Sequence, residues 1–220
     1  MAALRAAKQS LRKEIKRRVA ALSESEKQRQ SLVVCQKLLS HPKYLSCQRV
    51  AVFLSMDDEV RTDSIITHLF AAGKSCFIPR YQRTSNHMDM LKLTSEADIQ
   101  KLALTSWNIR QPGEDEPREE ALDTGGLDLI LMPGLGFDLS GRRLGRGKGF
   151  YDTYLERCMA HPRGKPHTIA LAYREQICEQ VPVDQRDVLI DEVLYDDQQG
   201  HCRRNDATDQ NDTVGLDGTL

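Results

Sequence analysis

Short apolar runs alternate with segments of helical spacing along most of the chain. Residues 88–93 alternate in polarity, which predicts a half-exposed strand in antiparallel pairing near an edge of the sheet. Continuous apolar runs predict buried strands over residues 49–55, 75–79, 127–132, 168–173 and 188–195. This alternation indicates the α/β class: a single domain with a mainly parallel sheet, flanked by helices on both faces, and an N-terminal helical segment.

Local start and stop signals delimit the helices between these strands. Ser23 and Glu26 form a Ser-x-x-Glu capping box, which predicts a helix running to about Leu39. Thr62 is the predicted N-cap of the next helix, and Gly73 follows as its C-terminal stop. With the strands on either side, this helix predicts a right-handed βαβ unit. Apolar spacing predicts two further helices, over residues 151–159 and 174–180.

The N-terminal segment, residues 1–22, carries seven basic side chains against the single acid Glu14. A basic amphipathic start of this kind can be a mitochondrial presequence, so a mitochondrial pool is one alternative. The regular apolar stripe favours the other alternative, a folded helix packed on the domain. That stripe consists of Leu4, Leu11, Ile15, Val19 and Leu22. We therefore expect a folded helix and a cytoplasmic protein.

Two segments lack the signals of regular structure. Residues 105–126 are rich in Pro, Gly and Glu and predict a long loop, which in a compact domain is usually functional or disordered. From Gln198 onward the chain has no aromatic residue and little apolar content, so it cannot bury enough surface to offset its ordering entropy. We predict a domain over residues 1–197 and a disordered tail over residues 198–220.

Composition excludes several classes of protein. The chain has 220 residues, is 40% hydrophobic and carries a formal net charge of −1, which argues against nucleic acid or an anionic membrane as a partner. No apolar run approaches the roughly 20 residues that a membrane helix needs. The six cysteines form no Cys-x-x-Cys pair and follow no secretory signal, so we expect reduced thiols in an intracellular protein. We also expect a monomer.

The most informative motif is a glycine-rich segment that runs from Leu144 to Asp152, Leu-Gly-Arg-Gly-Lys-Gly-Phe-Tyr-Asp. It follows a predicted strand and opens a helix, and its glycines let the backbone approach a ligand closely. Arg146 and Lys148 add positive charge, and the helix N-terminus favours an anion. The segment matches neither a Walker A loop nor Gly-x-Gly-x-x-Gly. It predicts a phosphate site, with a flexible basic surface loop as the alternative.

Charged residues elsewhere could complete such a site. Lys8 and Arg12 share one helix face, where they either hold an anion or form a solvated basic surface. The acids of residues 57–59 follow the first strand directly, where open α/β sheets bind ligands, although a polar turn explains them equally well. Asp152 and Asp187 are candidate ligands for magnesium, which takes carboxylate and phosphate oxygens.

Two aromatic residues are candidates for stacking on a flat ligand. Trp107 lies on the predicted long loop, and Tyr81 follows the end of a strand. Each could contact a ring, or could instead anchor its segment to the core.

Several stretches together resemble the 5-formyltetrahydrofolate cyclo-ligase family, from about Lys8 to Tyr195 and most closely its animal members. They are residues 53–59 (FLSMDDE), 77–81 (FIPRY), 85–90 (SNHMDM), 106–109 (SWNI), 132–138 (MPGLGFD) and 144–152 (LGRGKGFYD). The resemblance implies an ATP-dependent ligase that cyclises 5-formyltetrahydrofolate to 5,10-methenyltetrahydrofolate. ADP and phosphate are released after a phosphorylated formyl intermediate, with Mg²⁺ as cofactor.

The resemblance also implies roles for individual residues, with Lys148 and Arg146 as the catalytic pair. Asp152 and Asp187 would hold the magnesium ion. The residues implied to bind ATP are Lys8, Gln9, Ser10, Leu11, Arg12, Arg143, Leu144, Gly145, Arg146, Gly147, Lys148, Gly149, Phe150 and Tyr151. Those implied to bind the folate are Arg12, Leu54, Glu59, Tyr81, Trp107, Arg146, Gly147, Lys148, Gly149 and Phe150. The chain departs from the family at Phe150, where members usually have tyrosine.

A binding protein without catalytic activity is the competing interpretation. The basic N-terminal helix and residues 142–148 would then contact RNA or a phosphate group. The near-zero net charge argues against this, as does the lack of aromatic residues interleaved with the basic ones.

Overall fold

The computed structural model describes residues 2–105, 109–114 and 116–197. The helices within these residues are α1 (Ala2–Ala20), α2 (Glu24–Leu39), α3 (Pro42–Ser46), α4 (Asp63–Ala71), α5 (Glu96–Ile99) and α6 (Phe150–Ala160), with a 3₁₀ turn at Arg174–Gln176. The strands are β1 (Arg49–Ala51), β2 (Ser75–Tyr81), β3 (Met88–Leu93), β4 (Ala103–Leu104), β5 (Arg110–Gln111), β6 (Leu129–Met132), β7 (Gly136–Phe137), β8 (Arg143–Leu144), β9 (His167–Leu171) and β10 (Glu192–Leu194).

The central sheet has six strands in the order β10-β9-β6-β1-β2-β3. All neighbours run parallel except β3, which is antiparallel to β2. At its centre, Val50 of β1 pairs with Cys76 on one side and Leu129 on the other. The α/β class, the mainly parallel sheet and the antiparallel edge strand are thus confirmed. Two short antiparallel hairpins, β4-β5 and β7-β8, lie outside this sheet.

Helices cover both faces of the sheet, as the alternation of elements predicts. Successive strand residues point to opposite faces, so Val50 packs with the helices α1, α2 and α4 while its neighbour Ala51 packs with α6. Tyr154 and Leu155 bring α6 into the second core. Parallel strands that are buried on both faces have continuous apolar sequences, which explains why the sequence pattern predicted them.

The N-terminal helix is part of the folded domain. Ile15 and Val19 of α1 are buried, and Leu11 and Leu22 pack against the same core. This confirms the helix predicted from the apolar stripe, although Leu4 at its start is half-buried and lies outside that core. The N-cap half of the capping box predicted at the start of α2 is also confirmed, because the Ser23 side chain accepts a hydrogen bond from the Glu26 amide at 3.2 Å, whereas the Glu26 carboxylate bonds to Arg29 and Gln30. Among the helices that the structure describes, none combines the length and apolar character that a membrane crossing needs.

Several predicted elements differ in detail. Strands β1 and β10 are shorter than the apolar runs predicted over residues 49–55 and 188–195, and the helix predicted over residues 174–180 is a single 3₁₀ turn. Thr62 stands at the N-cap position of α4, but its hydroxyl donates to the Phe53 carbonyl at 2.8 Å and makes no cap bond, so the predicted capping role is wrong. The short helix α3 was not predicted.

The predicted half-exposure of β3 is also wrong. Of its six residues, only Lys92 is not buried. The long loop explains this, because it returns along the outer side of β3: the Lys92 amide donates to Glu119, and the Ala121 amide donates to Met90. The predicted loop is therefore ordered against the sheet where the structure describes it. The predicted tail, residues 198–220, lies outside the described residues.

Candidate active site

A cleft of about 1870 Å³ lies beyond the carboxyl ends of β1, β2 and β6. Its walls come from α1, the connection between β1 and α4, the start of α6, and residues 184–187. In open α/β sheets this edge is where ligands bind, because loops from neighbouring parallel strands converge there.

The glycine-rich loop, residues 145–149, forms one wall of the cleft and leads directly into α6. Gly147 and Gly149 have φ angles of +107° and +75°, in the left-handed region that side chains with a Cβ rarely adopt. Gly149 occupies the N-cap of α6 without a capping side chain, so the helix end offers its amides to the cleft. Lys148 is exposed, and its ammonium makes no hydrogen bond or ion pair within the described part of the chain.

The basic face of α1 lies across the cleft from this loop. Arg12 Nε donates to the Gly145 carbonyl at 2.9 Å, which ties the helix to the base of the loop. Lys8 Nζ lies 2.6 Å from Asp187 Oδ2 and 3.4 Å from Asp184 Oδ2. Burial lowers the pKa of Arg12, and the nearby Asp187 carboxylate opposes that shift. Lys8 and Arg12 therefore face the cleft together, as their spacing predicts.

Asp152 connects three segments around the cleft. Its Oδ2 accepts a hydrogen bond from Arg143 Nη2 at 2.8 Å, and its Oδ1 accepts one from the Val188 amide at 3.1 Å. Because Val188 follows Asp187, this bond brings the two candidate magnesium ligands to the same end of the cleft. Arg143 is itself buried and also donates to the Pro133 carbonyl. Within the described residues, no three histidine, cysteine or acidic side chains form a closed metal cluster.

The opposite end of the cleft contains a buried acid. Glu59 is only 6% exposed; its Oε2 accepts the Met56 amide at 3.0 Å and its Oε1 accepts Arg146 Nη2 at 3.0 Å. The same Arg146 nitrogen lies 2.6 Å from Asp58 Oδ1. Burial raises the pKa of Glu59, and the charge of Arg146 opposes the rise. A carboxylate held in this way is suited to accept N–H groups from a ligand.

Aromatic rings and Leu54 line the cleft beside Glu59. The Tyr81 and Phe150 rings lie 4.9 Å apart, centroid to centroid, at an angle of 58°. The hydroxyls of Tyr81 and Tyr151 are 3.5 Å apart. Burial raises the pKa of both phenols, so each stays protonated at neutral pH. This end of the cleft can therefore hold a flat, partly apolar ring and offer it a few polar contacts.

Most of the site residues predicted above line this one cleft. They are Lys8, Gln9, Arg12, Leu54, Glu59, Tyr81, Arg143, Gly145, Arg146, Gly147, Lys148, Gly149, Phe150, Tyr151, Asp152 and Asp187. Ser10, Leu11 and Leu144 do not line it: Ser10 is exposed elsewhere on α1, and the two leucines pack into the core. Their predicted contacts with ATP could involve only the backbone or a moved side chain. Trp107 lies outside the described residues, so its predicted contact with the folate stays a prediction.

Sequence reasoning missed two acids that contact the predicted cations. Asp184 shares Lys8 with Asp187, and Asp58 shares Arg146 with Glu59. The sequence signal for Asp184 was weak, because it consisted only of an acid three residues before Asp187 in a loop. Asp58 was visible within the acidic triplet, but nothing in the sequence distinguished it from its neighbours.

The chain is similar to known proteins over most of its length. A sequence model of the 5-formyltetrahydrofolate cyclo-ligase family matches residues 4–196. A mouse 5-formyltetrahydrofolate cyclo-ligase is 60% identical over 191 residues, which are 87% of this chain and 94% of the mouse protein.

Solved structures show the same fold. The NMR structure of a 5,10-methenyltetrahydrofolate synthetase from Aquifex aeolicus superposes with a TM-score of 0.68 at 30% identity, covering 85% of this chain and 88% of that one. A 5,10-methenyltetrahydrofolate synthetase from Mycoplasma pneumoniae superposes with a TM-score of 0.64 at 24% identity, covering 86% and 98%. With the family match over nearly all of the described residues, the chain belongs to the 5-formyltetrahydrofolate cyclo-ligase family.

Proposed function

We propose that this protein catalyses the ATP-dependent cyclisation of 5-formyltetrahydrofolate to 5,10-methenyltetrahydrofolate, with release of ADP and phosphate. One observation carries the proposal: a single cleft joins a glycine-rich loop with an exposed lysine to a buried glutamate beside aromatic rings. The first part suits a phosphate chain and the second suits a pterin ring. A reaction between ATP and a folate needs both within reach of each other.

The chemistry follows from the substrate. The N5-formyl group is amide-like, so its carbon is unreactive and its oxygen is a poor leaving group. Transfer of the γ-phosphoryl group from ATP to that oxygen, with release of ADP, activates the carbon. The N10 nitrogen then attacks the carbon and loses its proton, the C–O bond breaks, and phosphate leaves. The product is the 5,10-methenyl ring.

The protein's task in this reaction is alignment and charge stabilisation rather than covalent catalysis. The ammonium of Lys148 makes no ion pair with any described residue, and Arg146, Arg12 and Lys8 surround the same space. We assign the transferring phosphoryl group to Lys148 and Arg146. The amides at the start of α6 and along the loop would hold the phosphate chain. Lys8 is paired with Asp184 and Asp187, so a bound nucleotide would compete with these acids for it.

Asp152 and Asp187 fit magnesium as the phosphate-bound ion. Mg²⁺ usually takes one or two protein carboxylates and completes its shell with phosphate oxygens and water, so a closed cluster of acids is not required. When bound, the ion would neutralise charge that develops on the phosphates. Asp152 is fixed by Arg143 and the Val188 amide, and Asp187 Oδ2 accepts the Asp184 amide at 2.6 Å and pairs with Lys8, so a metal ion would compete with these partners.

The folate would lie against the buried end of the cleft. Glu59 would accept N–H groups of the pterin, and the rings of Tyr81 and Phe150 would pack on it. Leu54 and Trp107 are proposed as further contacts. We expect the protein to act as a cytoplasmic monomer with ATP and a reduced folate as its ligands.

The test is turnover with 5-formyltetrahydrofolate, ATP and Mg²⁺, following methenyl product by absorbance and ADP by a coupled assay. We expect equal amounts of ADP and product, and no product without ATP. Lys13→Ala is a matched control for changes in the cleft, because Lys13 is an exposed lysine on α1 that does not line it. A folded protein that forms no methenyl product would overturn the proposal. Tight RNA binding with a steep salt dependence would instead favour the binding-protein interpretation.

A further inference from the structure

Asp58 contacts a proposed catalytic residue although the reaction above gives it no role. It lies in the connection between β1 and α4, and its Oδ1 is 2.6 Å from Nη2 of Arg146, 88 positions further along the chain. It does not line the cleft, whereas Arg146 and Glu59 do. The Asp58 carboxylate thus holds Arg146 from outside the space that ligands would occupy.

The way Arg146 is held leaves most of its hydrogen-bonding capacity available. A guanidinium has five N–H donors, yet both carboxylates bind the single nitrogen Nη2. Within the described residues, Nε and Nη1 of Arg146 make no hydrogen bond. A planar guanidinium fixed at one corner can present its other donors to a phosphate group.

A ligand bound to Glu59 would weaken the contact between Glu59 and Arg146. Its Oε2 already accepts the Met56 amide, so N–H groups of a pterin would compete with Arg146 for Oε1. A bound folate would therefore weaken the bond between Arg146 and Glu59. The bond between Arg146 and Asp58 would remain, because Asp58 lies outside the cleft.

We propose that Asp58 is a positioning residue that keeps Arg146 directed at the phosphate chain while the folate occupies Glu59. This inference rests on the proposed function. The need for Asp58 should therefore depend on the folate. Asp58 is dispensable for nucleotide binding when the folate is absent, because Glu59 then holds Arg146. It becomes necessary when the folate is present.

The experiment measures binding of a non-hydrolysable ATP analogue by calorimetry, with and without saturating 5-formyltetrahydrofolate. For Asp58→Ala we expect about a tenfold loss of affinity with the folate present and less than about threefold without it. Asp58→Asn should lose less than Asp58→Ala, since an amide oxygen can still accept from Arg146. Asp57→Ala is the matched control: that side chain is 96% exposed and its nearest cation lies 3.9 Å away, so it should behave as the wild type.

A double-mutant cycle provides an independent readout. In an Arg146→Ala background, Asp58→Ala should cause little further loss of kcat/KM for ATP, because the residue that it positions is gone. Additive losses would overturn the inference, as would an equal loss of affinity with and without the folate. Tighter nucleotide binding by Asp58→Ala would also overturn it, since Asp58 would then compete with phosphate for Arg146.

The two proposals fail in different ways. If the wild type turns over and Asp58→Ala matches it in every assay, only the positioning role is wrong. If the folded wild type shows no turnover, the proposed function is wrong and this inference falls with it.

Discussion

The two ends of the cleft are built on different principles. The phosphate end, as proposed above, consists of backbone and exposed charge, with Lys148 unpaired among the described residues and two glycines in left-handed conformations. The end proposed for the folate consists of buried and half-buried side chains, among which Glu59 is 6% and Tyr151 is 5% exposed. A phosphate needs many N–H donors close to its oxygens, which backbone supplies. A pterin needs a shaped wall and a few fixed acceptors, which only side chains supply.

This difference predicts how substitutions divide between rate and stability. Side chains at the phosphate end have few packing contacts, so their loss should affect turnover and leave the free energy of unfolding nearly unchanged. The aromatic side chains at the folate end are part of the second core or touch it, and Leu54 packs against the first core, so their loss should affect both.

The largest effect is expected for Lys148→Ala, at the phosphate end. Removal of this ammonium should lower kcat/KM by roughly a hundredfold or more, because one preorganised charge is typically worth a few kcal/mol in the transition state. The melting temperature should stay within about 2 °C of the wild type, since an exposed side chain contributes little to stability. Steady-state kinetics measures kcat/KM and thermal unfolding measures the melting temperature, with Lys13→Ala as the control in each. Near-normal kcat/KM in the folded variant would rule out the role.

Glu59→Gln tests the folate end. The change keeps the shape but removes the charge and replaces one acceptor with a donor, so a ligand N–H would lose its partner. We expect the KM for the folate to rise by about tenfold or more, as for the loss of a hydrogen bond to a charged group, and the KM for ATP to change less. A rise in the ATP value alone would place Glu59 on the nucleotide or metal side.

The raised pKa of Glu59 predicts a pH dependence of folate binding. Its carboxylate must be charged to accept N–H groups, so affinity should fall as the pH falls through that pKa. Because burial raises this pKa above the ordinary 4.5, the loss should begin at a higher pH than for an exposed glutamate. Measuring the folate affinity as the pH is lowered from neutral tests this dependence. Glu59→Gln should lack the loss of affinity that comes from protonation of Glu59. A wild type and variant with parallel profiles would show that another group titrates.

The smallest effect is expected where the two ends meet, at Phe150. Phe150→Tyr restores the hydroxyl usual in the family, on a ring that packs against Tyr81. If the ring serves mainly as a wall, kcat/KM should change by less than about tenfold, which is under ~1.4 kcal/mol. A gain above that would show that a buried partner lacks its hydrogen bond in the present protein. Kinetics of both proteins in one buffer decide between these outcomes.

Sequence patterns predicted the features that depend on neighbours along the chain. Ser23 capped α2, Ile15 and Val19 faced the core, and the glycine-rich loop opened a helix. The contacts of Arg146 with Asp58 and Glu59, and of Lys8 with Asp184 and Asp187, span 87 to 179 positions. No local pattern encodes such pairs, because they arise only when the loops converge. The folate end was implied by the family resemblance, since Glu59 and Tyr81 by themselves also suited a polar turn and a core anchor.

The loop that covers β3 has a further consequence, for association between copies of the chain. An edge strand with unpaired N–H and C=O groups is a template onto which another strand can add. Here Glu119 and Ala121 already take up bonds of Lys92 and Met90 along that edge, and an isolated bridge joins Leu91 to Glu120. At this edge a second molecule would first have to displace the protein's own loop. The antiparallel strand that closes the sheet is therefore also protected against strand-by-strand aggregation.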